Sequence, residues 1–323
     1  MIRFLTSILL LAAAAIAAAA QPTAAPAPAQ EWGLVTVGCA SLRGEPRHGA
    51  ELETQATMGT PVLLDSIASG EWRMVTMPDG YRAWMHTSAF VVMSDEEIKE
   101  WRKSPRVIIT SPYGCTVTSD TIAPAAECAV TDATLGAIFR GTIVPRDFSE
   151  CSTRSTAVEL PDGRTGFVPT ESVADFAQWS RRQISVDAIL STARSLNGVT
   201  YLWGGTTPKA LDCSGFTQVC FRNTGTLLPR NACAQAKIGE NVAVDKPEQW
   251  EGGDLLFFGP DPDTTRITHV GIYLGNGRYI HCSGMVMTSS INPTDPLFLC
   301  RRVLAVRRIG RDFSRIATHG WYF

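Results

Sequence analysis

The chain has 323 residues, of which 45% are hydrophobic and 19% are charged, a globular composition with enough length for roughly two domains. A formal net charge of -2 provides no excess of basic residues for nucleic acid or an anionic membrane surface. We therefore expect no nucleic-acid partner, while the charge says little about the substrate.

The first twenty residues, MIRFLTSILLLAAAAIAAAA, place Arg3 before an apolar run that ends in small residues, the pattern of a secretory signal peptide. The run from Ser7 to Ala20 is shorter than the roughly 20 apolar residues that span a bilayer, and an uncleaved anchor helix is the alternative. We predict cleavage near Ala20 and a disordered Pro/Ala linker over residues 21–30. The mature protein is then secreted across the inner membrane into the periplasm, without stable membrane insertion.

Nine cysteines are compatible with export, because disulfides form in oxidising compartments. Nine is odd, so at least one thiol stays unpaired within a monomer, and no Cys-x-x-Cys pair suggests a zinc or thioredoxin-type site. Spacing leaves open any pairing among Cys115, Cys128 and Cys151.

Residues 31–94 contain short β-type runs separated by turn residues, which predicts a small all-β module. Its last hairpin, EWRMVTMPDGYRAWMHTSAF, turns at PDG (78–80). The same pattern returns in STAVELPDGRTGFVPTESV, where PDG recurs at 161–163 and FV (167–168) takes the place of WM (84–85). This internal repeat predicts two related β-barrel modules.

Helices connect and follow these modules. Ser94 starts a predicted connecting helix with acids in its first turn and bases later, and a linker helix is predicted over 176–184. SVDAILSTARSLNG then has one apolar face, and DCSGFTQVCFRNTG predicts a helix with Cys213 at its start and Gly225 as its stop. Three strand-like runs follow, GDLLFFG, THVGIYLG and RYIHCSG. The third domain is therefore predicted to be α+β.

Cys213 is the best candidate nucleophile in the chain. A thiol at a helix start faces unpaired backbone N–H groups and the positive end of the helix dipole, and both favour the thiolate. A cysteine peptidase also needs a histidine within hydrogen-bond reach and a polar group that orients it. Asp212 opposes thiolate formation unless a cation neutralises its carboxylate.

Two of the five histidines, His269 and His281, lie on the two strands of a predicted hairpin that turns at GNG (275–277). A two-residue turn alone would place them on opposite faces. A three-residue loop, or an equivalent bulge, pairs Gly271 with His281 and brings both histidines to one face within roughly 7–8 Å. The catalytic interpretation requires this second register.

The other histidines, His48, His86 and His319, are expected to be surface residues. Zinc binding by Cys213, His269 and His281 is a competing interpretation, although no close ligand pair anchors such a site. We predict that the protein needs neither a metal nor an organic cofactor.

The motifs YLWGG, DCSGF, LPRNACAQ, GDLLFF and THVGIYLGNGRYIHCSG, in this order, resemble the NlpC-type cell-wall cysteine peptidases, which have a papain-like fold. The resemblance covers roughly residues 185 to 310. It implies that Cys213 is the nucleophile, His269 the base and His281 the orienting group, the trio already reached from the residues.

The two β modules resemble bacterial SH3-like domains, and the whole arrangement resembles the γ-D-glutamyl-L-diamino acid endopeptidases of peptidoglycan turnover. Such relatives cut after L-Ala-γ-D-Glu in peptides whose L-alanine amine is free, and their first SH3-like module narrows the cleft. Asp212 and Ser214 are then expected to hold the amine, with Tyr81 and Glu51 from the first module and Glu53 as a rival for the acid. Helix capping is the alternative for Asp212.

Two further residues have open roles. Trp203 either walls the substrate cleft or packs the domain. Arg230 either forms a structural hydrogen-bonded bridge or faces a substrate carboxylate, and we favour the bridge.

The predicted organisation is multidomain: two small all-β SH3-like barrels followed by an α+β papain-like cysteine peptidase domain. The segments are a signal peptide (1–20), a linker (21–30), a first SH3-like domain (31–94), a connecting helix (95–104), a second SH3-like domain (105–175), a linker helix (176–184), the peptidase domain (185–311) and a C-terminal tail (312–323).

The predicted function is hydrolysis of the bond between γ-D-Glu and a diamino acid in peptidoglycan stem peptides, by a monomer. One alternative is a non-catalytic cell-wall binding protein that uses its SH3-like domains. The other is an endopeptidase that acts on intact peptidoglycan stems.

Overall fold

The computed structural model describes residues 30–121, 125–143, 155–260, 263, 265–310 and 313–323. The predicted signal peptide, nearly all of the predicted linker, and Cys151 lie outside the described residues. Within those residues, no helix combines the length and apolar character needed to cross a membrane.

The first module is one antiparallel sheet of seven strands. Its turn at residues 78–80 joins two paired strands, as predicted, with Thr76 opposite Arg82. The strands are β1 (Trp32–Val35), β2 (Cys39–Arg43), β3 (Leu52–Thr57), β4 (Pro61–Ser69), β5 (Trp72–Thr76), β6 (Arg82–His86) and β7 (Phe90–Met93).

The connecting helix α1 (Asp95–Lys103) begins after Ser94, as predicted. The Ser94 hydroxyl accepts from the Glu97 backbone N–H while the Glu97 carboxylate accepts from the Ser94 N–H, a capping box that satisfies two otherwise unpaired donors.

The second module repeats the topology of the first. The first sheet has the order β3-β2-β6-β5-β4-β1-β7, and the second has the equivalent order β10-β9-β13-β12-β11-β8-β14. The FV and WM pairs occupy equivalent central positions of β13 and β6, so the predicted internal repeat is confirmed. The elements are β8 (Arg106–Ile109), β9 (Cys115–Thr118), α2 (Ala125–Cys128), β10 (Ala129–Ala133), β11 (Ile138–Gly141), β12 (Ser155–Glu159), β13 (Thr165–Pro169) and β14 (Val173–Asp175).

The third unit packs helices on an antiparallel sheet of order β17-β22-β18-β19-β20-β21. Phe216, Val219 and Cys220 of helix α5 are buried in the core, as their spacing predicts. The linker helix is α3 (Phe176–Ser180). The other elements are α4 (Val186–Ser195), β15 (Thr206–Thr207), β16 (Ala210–Leu211), α5 (Cys213–Arg222), α6 (Ala232–Gln235), β17 (Glu240–Val242), β18 (Leu255–Gly259), β19 (His269–Gly275), β20 (Arg278–Ser283), β21 (Met285–Ser290) and β22 (Arg302–Arg308).

The C-terminal residues pack against both modules instead of extending from the peptidase unit. The Trp321 ring meets Trp32 of β1 edge-on with 5.2 Å between ring centroids. Arg106 of β8 donates from Nη2 to the Tyr322 carbonyl at 2.8 Å. Because Tyr322 is buried, this segment helps to fix the first module against the unit that carries Cys213.

Candidate active site

Helix α5 presents Cys213 at its first position. The Asp212 side chain caps the helix, with Oδ1 accepting from the Gly215 N–H at 2.7 Å. Gly215 lies against the preceding loop so closely that an added Cβ would be 2.0 Å from the Gly205 carbonyl oxygen. The DCSG sequence therefore fixes Cys213, the candidate nucleophile, at the N-terminus of helix α5.

The hairpin of β19 and β20 has the register that the catalytic interpretation requires. Gly271 lies opposite His281 and Tyr273 opposite Tyr279, and the register then shifts so that Gly275 pairs with Arg278. The turn itself has two residues, and a bulge at Leu274 restores the shared face. The predicted register is confirmed, in the form of the bulge.

The two histidines form a buried hydrogen-bonded chain. His269 Nε2 lies 2.7 Å from His281 Nδ1, and His281 Nε2 lies 3.0 Å from the Ser289 hydroxyl of β21. Because His269 uses Nε2 in this chain, Nδ1 is the nitrogen left to accept a proton. The consistent tautomer has His269 Nε2–H donating to His281 and His281 Nε2–H donating to Ser289.

Burial shifts the pKa values of Cys213, His269 and His281. It raises the pKa of Cys213 to about 11, with Asp212 acting in the same direction, while the N–H groups of Val270 and Ser214 oppose it. Burial also lowers the pKa of His269 to about 2, with His281 acting in the same direction, and that of His281 to about 4. These shifts favour a neutral thiol and a neutral imidazole in the free protein, because desolvation outweighs the effect of the helix terminus on the Cys213 thiol.

A buried salt bridge involves Asp212, the residue that precedes Cys213. Asp212 is 5% exposed and Arg230 3% exposed. The Arg230 guanidinium contacts both carboxylate oxygens, with Nη1 donating to Oδ1 at 3.1 Å. Nη1 also donates to the Ser214 hydroxyl at 3.0 Å, and Oδ2 accepts from the Gly204 N–H at 3.0 Å. Asp212 thus serves as a cap and an ion-pair partner, and Arg230 has the structural role that the sequence favoured.

A cavity of about 380 Å³ opens over Cys213. Trp203 is 60% exposed at its wall, so it does not pack into the domain core. The lining residues are Glu53, Tyr81, Tyr201, Trp203, Asp212, Cys213, Ser214, Arg230, Asn231, Ala232, Cys233, Arg266, Ile267 and Thr268.

The first module contributes an acid and a phenol to this cavity. The Tyr81 hydroxyl donates to Glu53 Oε2 at 2.5 Å, and burial followed by Glu53 raises the pKa of Tyr81 to about 12. The structure does not bring the predicted acid, Glu51, to this cavity: Glu51 is exposed and does not line it, whereas its rival Glu53 does.

A β-bulge explains why Glu53 faces the cavity. Leu42 pairs with Thr54, but Arg43 pairs with Leu52, so Glu53 is the extra residue between them. A bulged residue leaves the ladder and is aimed differently from its neighbours. The Glu53 carbonyl accepts from Arg230 Nε at 3.0 Å, which connects the bulge to the buried salt bridge.

Comparison with known proteins follows the same division of the chain. The profile of the NlpC/P60 family matches residues 198–307, and that of the bacterial dipeptidyl-peptidase Sh3 domain matches residues 42–90. The murein DD-endopeptidase MepS/murein LD-carboxypeptidase of Escherichia coli K12 is 34% identical over 154 residues, which are 45% of this chain and 79% of that protein. The chain belongs to the NlpC/P60 family.

Two further relatives share the N-terminal modules as well. A γ-D-glutamyl-L-lysine dipeptidyl-peptidase of Bacillus cereus is 29% identical over 242 residues, covering 72% of this chain and 67% of that protein. The crystal structure of an NlpC/P60 family protein from B. cereus superimposes with a TM-score of 0.71 over 86% of this chain and 99% of that one, at 21% identity. The multidomain fold is therefore confirmed, and family membership makes this chain a cysteine peptidase.

Within the NlpC/P60 unit, His269 and His281 share one face of the β19–β20 hairpin, and helix α5, which begins at Cys213, packs against Val270 and Cys282 of the other face. The Cys213 thiol contacts the backbone N–H of Val270, the residue after His269. The described residues include no group of three or more His, Cys, Asp or Glu side chains arranged to hold a metal ion, and the two histidines hydrogen-bond to each other.

Sequence reasoning missed Ser289. The feature of the sequence that could have revealed it is Gly284. This glycine has φ 77° and forms a tight hairpin in which Ser283 pairs with Met285. Extending that register places Ser289 opposite Tyr279, diagonal to His281 and within reach of its ring.

Proposed function

We propose that this protein hydrolyses the bond between γ-D-Glu and a diamino acid in peptidoglycan stem peptides that carry a free L-alanine amine. The observation that carries the proposal is the Glu53–Tyr81 pair, which the first module places in the same cavity as Cys213. The relatives named γ-D-glutamyl-L-lysine dipeptidyl-peptidase support the substrate class.

Glu53 supplies the negative charge for the substrate ammonium in this proposal. Asp212 is less available, because its two oxygens already accept from Arg230 and from the backbone. Ser214 keeps a hydroxyl lone pair for the ammonium, and the Tyr81 oxygen can also accept from it. Asp212 then acts in substrate binding by holding Ser214 and Arg230 in place, and Trp203 forms the wall of the cleft.

Contacts of β3 join the first module to the peptidase unit. Thr206 donates its backbone N–H to Gln55 Oε1 at 3.0 Å, and its hydroxyl donates to the Gln55 carbonyl at 3.0 Å. Gly204 approaches β3 so closely that an added Cβ would be 2.3 Å from the Leu52 carbonyl oxygen. In the proposal, the first module closes the end of the cleft where the peptide's N-terminal residue binds, which suits an enzyme that releases a dipeptide.

The proposed reaction is acyl transfer through a thioester on Cys213. The Cys213 thiol attacks the γ-carbonyl carbon as His269 Nδ1 takes its proton, and His281, held by Ser289, keeps the imidazole oriented. Backbone N–H groups at the start of α5 stabilise the oxyanion. The imidazolium then protonates the departing amine, and water attacks the resulting thioester with His269 as base.

Paired substrates test this proposal. L-Ala-γ-D-Glu-meso-diaminopimelate and its N-acetylated form are incubated with the enzyme in reducing buffer, and products are identified by mass spectrometry. We expect release of L-Ala-γ-D-Glu from the free peptide and much slower cleavage of the acetylated one, because acetylation removes the ammonium. Cys213→Ala should abolish turnover without loss of fold. Equal rates on the two peptides would favour an endopeptidase for intact stems, and no cleavage of either would favour a binding protein.

The proposal places this reaction outside the cytoplasm, in agreement with a cell-wall hydrolase family. It retains residues 1–20 as a secretory signal and the periplasm as the compartment, with the enzyme acting as a monomer. The L-lysine tripeptide, offered beside the diaminopimelate tripeptide, identifies the preferred diamino acid.

A further inference from the structure

Four charged side chains line the cavity, and two of them balance each other. Asp212 and Arg230 form the buried salt bridge, which leaves Glu53 and Arg266. Arg266 is exposed on the segment that leads into β19, three residues before His269. It forms no salt bridge with any carboxylate in the part of the chain that the structure describes. The acid nearest in sequence, Asp263, accepts from the backbone N–H and hydroxyl of Thr265, and Arg266 helps to lower its pKa without a salt-bridge contact.

The backbone around Arg266 is held in place even though its guanidinium is exposed. The Thr268 N–H donates to the Phe258 carbonyl at 2.9 Å, and His269 pairs with Phe258 in the sheet. Gly259 packs against the same segment, since an added Cβ there would lie 2.3 Å from the Arg266 carbonyl oxygen. Arg266 thus carries an exposed positive charge on a well-held backbone segment, next to strand β19 and His269.

The γ-linked substrate carries a carboxylate next to the scissile bond, which the acidic Glu53 cannot bind. A γ-D-glutamyl bond leaves the α-carboxylate of the glutamyl residue free, close to the scissile carbonyl, whereas an ordinary internal peptide bond leaves none. An exposed arginine suits such a group because its guanidinium can bind a carboxylate through two parallel hydrogen bonds.

We propose that Arg266 binds the α-carboxylate of the γ-D-glutamyl residue and so selects γ-linked peptides. The inference rests on the proposed function, because only that substrate class carries this carboxylate. In this arrangement Glu53 pairs with the substrate ammonium, and Arg266 pairs with the α-carboxylate of the glutamyl residue.

Steady-state kinetics with two tripeptides test the assignment. L-Ala-γ-D-Glu-L-Lys is compared with the analogue whose α-carboxylate is a carboxamide, in the wild type, Arg266→Gln, Arg266→Lys and Arg278→Gln. Arg278 is a matched control, because it pairs with Asp295 and does not line the cavity.

We expect Arg266→Gln to raise KM for the carboxylate substrate by roughly tenfold to a hundredfold with little change in kcat, and to leave the carboxamide unaffected. Arg266→Lys should recover part of the loss, and Arg278→Gln should match the wild type. If Arg266→Gln keeps the wild-type preference for the carboxylate, the assignment is overturned.

A binding measurement separates this inference from the proposed reaction. Isothermal titration calorimetry compares the binding of L-Ala-γ-D-Glu with that of the analogue whose α-carboxylate is a carboxamide. Both ligands are titrated into Cys213→Ala and into the double variant Cys213→Ala/Arg266→Gln. A carboxylate preference that disappears with Arg266→Gln supports the assignment even if the wild type fails to cleave the tripeptides, in which case only the proposed function falls. Equal binding of both dipeptides by Cys213→Ala overturns the assignment whatever the kinetics show.

Discussion

Arg230→Met removes the buried cation whose guanidinium contacts Asp212, Ser214 and the Glu53 carbonyl. Arg230 is 3% exposed and Asp212 5% exposed, so water cannot replace the lost contacts without opening the site. Removing one partner of such a pair leaves an uncompensated buried charge, and typically costs about 3–5 kcal/mol. We expect the free energy of unfolding of the peptidase unit to fall by about that amount.

Urea unfolding followed by tryptophan fluorescence and circular dichroism measures the change. Arg278→Met removes an equally long cation whose side chain is 51% exposed in its pair with Asp295, and should unfold almost as the wild type does. The double variant Asp212→Asn/Arg230→Met should recover part of the loss, since it no longer leaves a buried charge unpaired. If Arg230→Met stays within about 1 kcal/mol of the wild type, the salt bridge does not hold the site together in the way described.

Two more predictions concern the nucleophile and its base. Because the pKa of Cys213 is raised to about 11, its alkylation by iodoacetamide, followed by peptide mass spectrometry, should accelerate about tenfold per pH unit between pH 7 and 9. A plateau below pH 8 would show an ion pair with His269 in the free enzyme instead. Ser289→Ala removes the hydroxyl that holds His281, and should lower kcat by roughly tenfold with KM nearly unchanged, since the base is then less well oriented. Unchanged kcat in Ser289→Ala would show that His281 needs no such support.

Local patterns were sufficient for most of the fold. The two PDG turns, the Ser94 cap and the apolar spacing of α5 each depend on residues close together in the chain, and all appear as predicted. The repeat of the β modules followed from the same turn chemistry occurring twice.

The catalytic pairing was harder to predict, because it depends on register. A side chain changes face with every residue along a strand, so one inserted residue decides whether His269 and His281 meet. The chain signals a tight turn at Asn276–Gly277, and the chemistry itself was the reason to expect a bulge. The structure places that bulge at Leu274.

The acid of the substrate pocket shows what only tertiary structure decides. Glu51 and Glu53 are two residues apart, so a regular strand would point both side chains to the same face. The sequence alone offered no reason to choose between them. The bulge in β3 aims Glu53 at the cavity, and its carbonyl bonds to Arg230, which lies 177 residues later. The sequence by itself thus determined the modules, the helix that begins at Cys213 and the hairpin that carries both histidines. Packing of the first module on the peptidase unit decided which acid lies in the cavity over Cys213, because its contacts join residues that no local pattern connects.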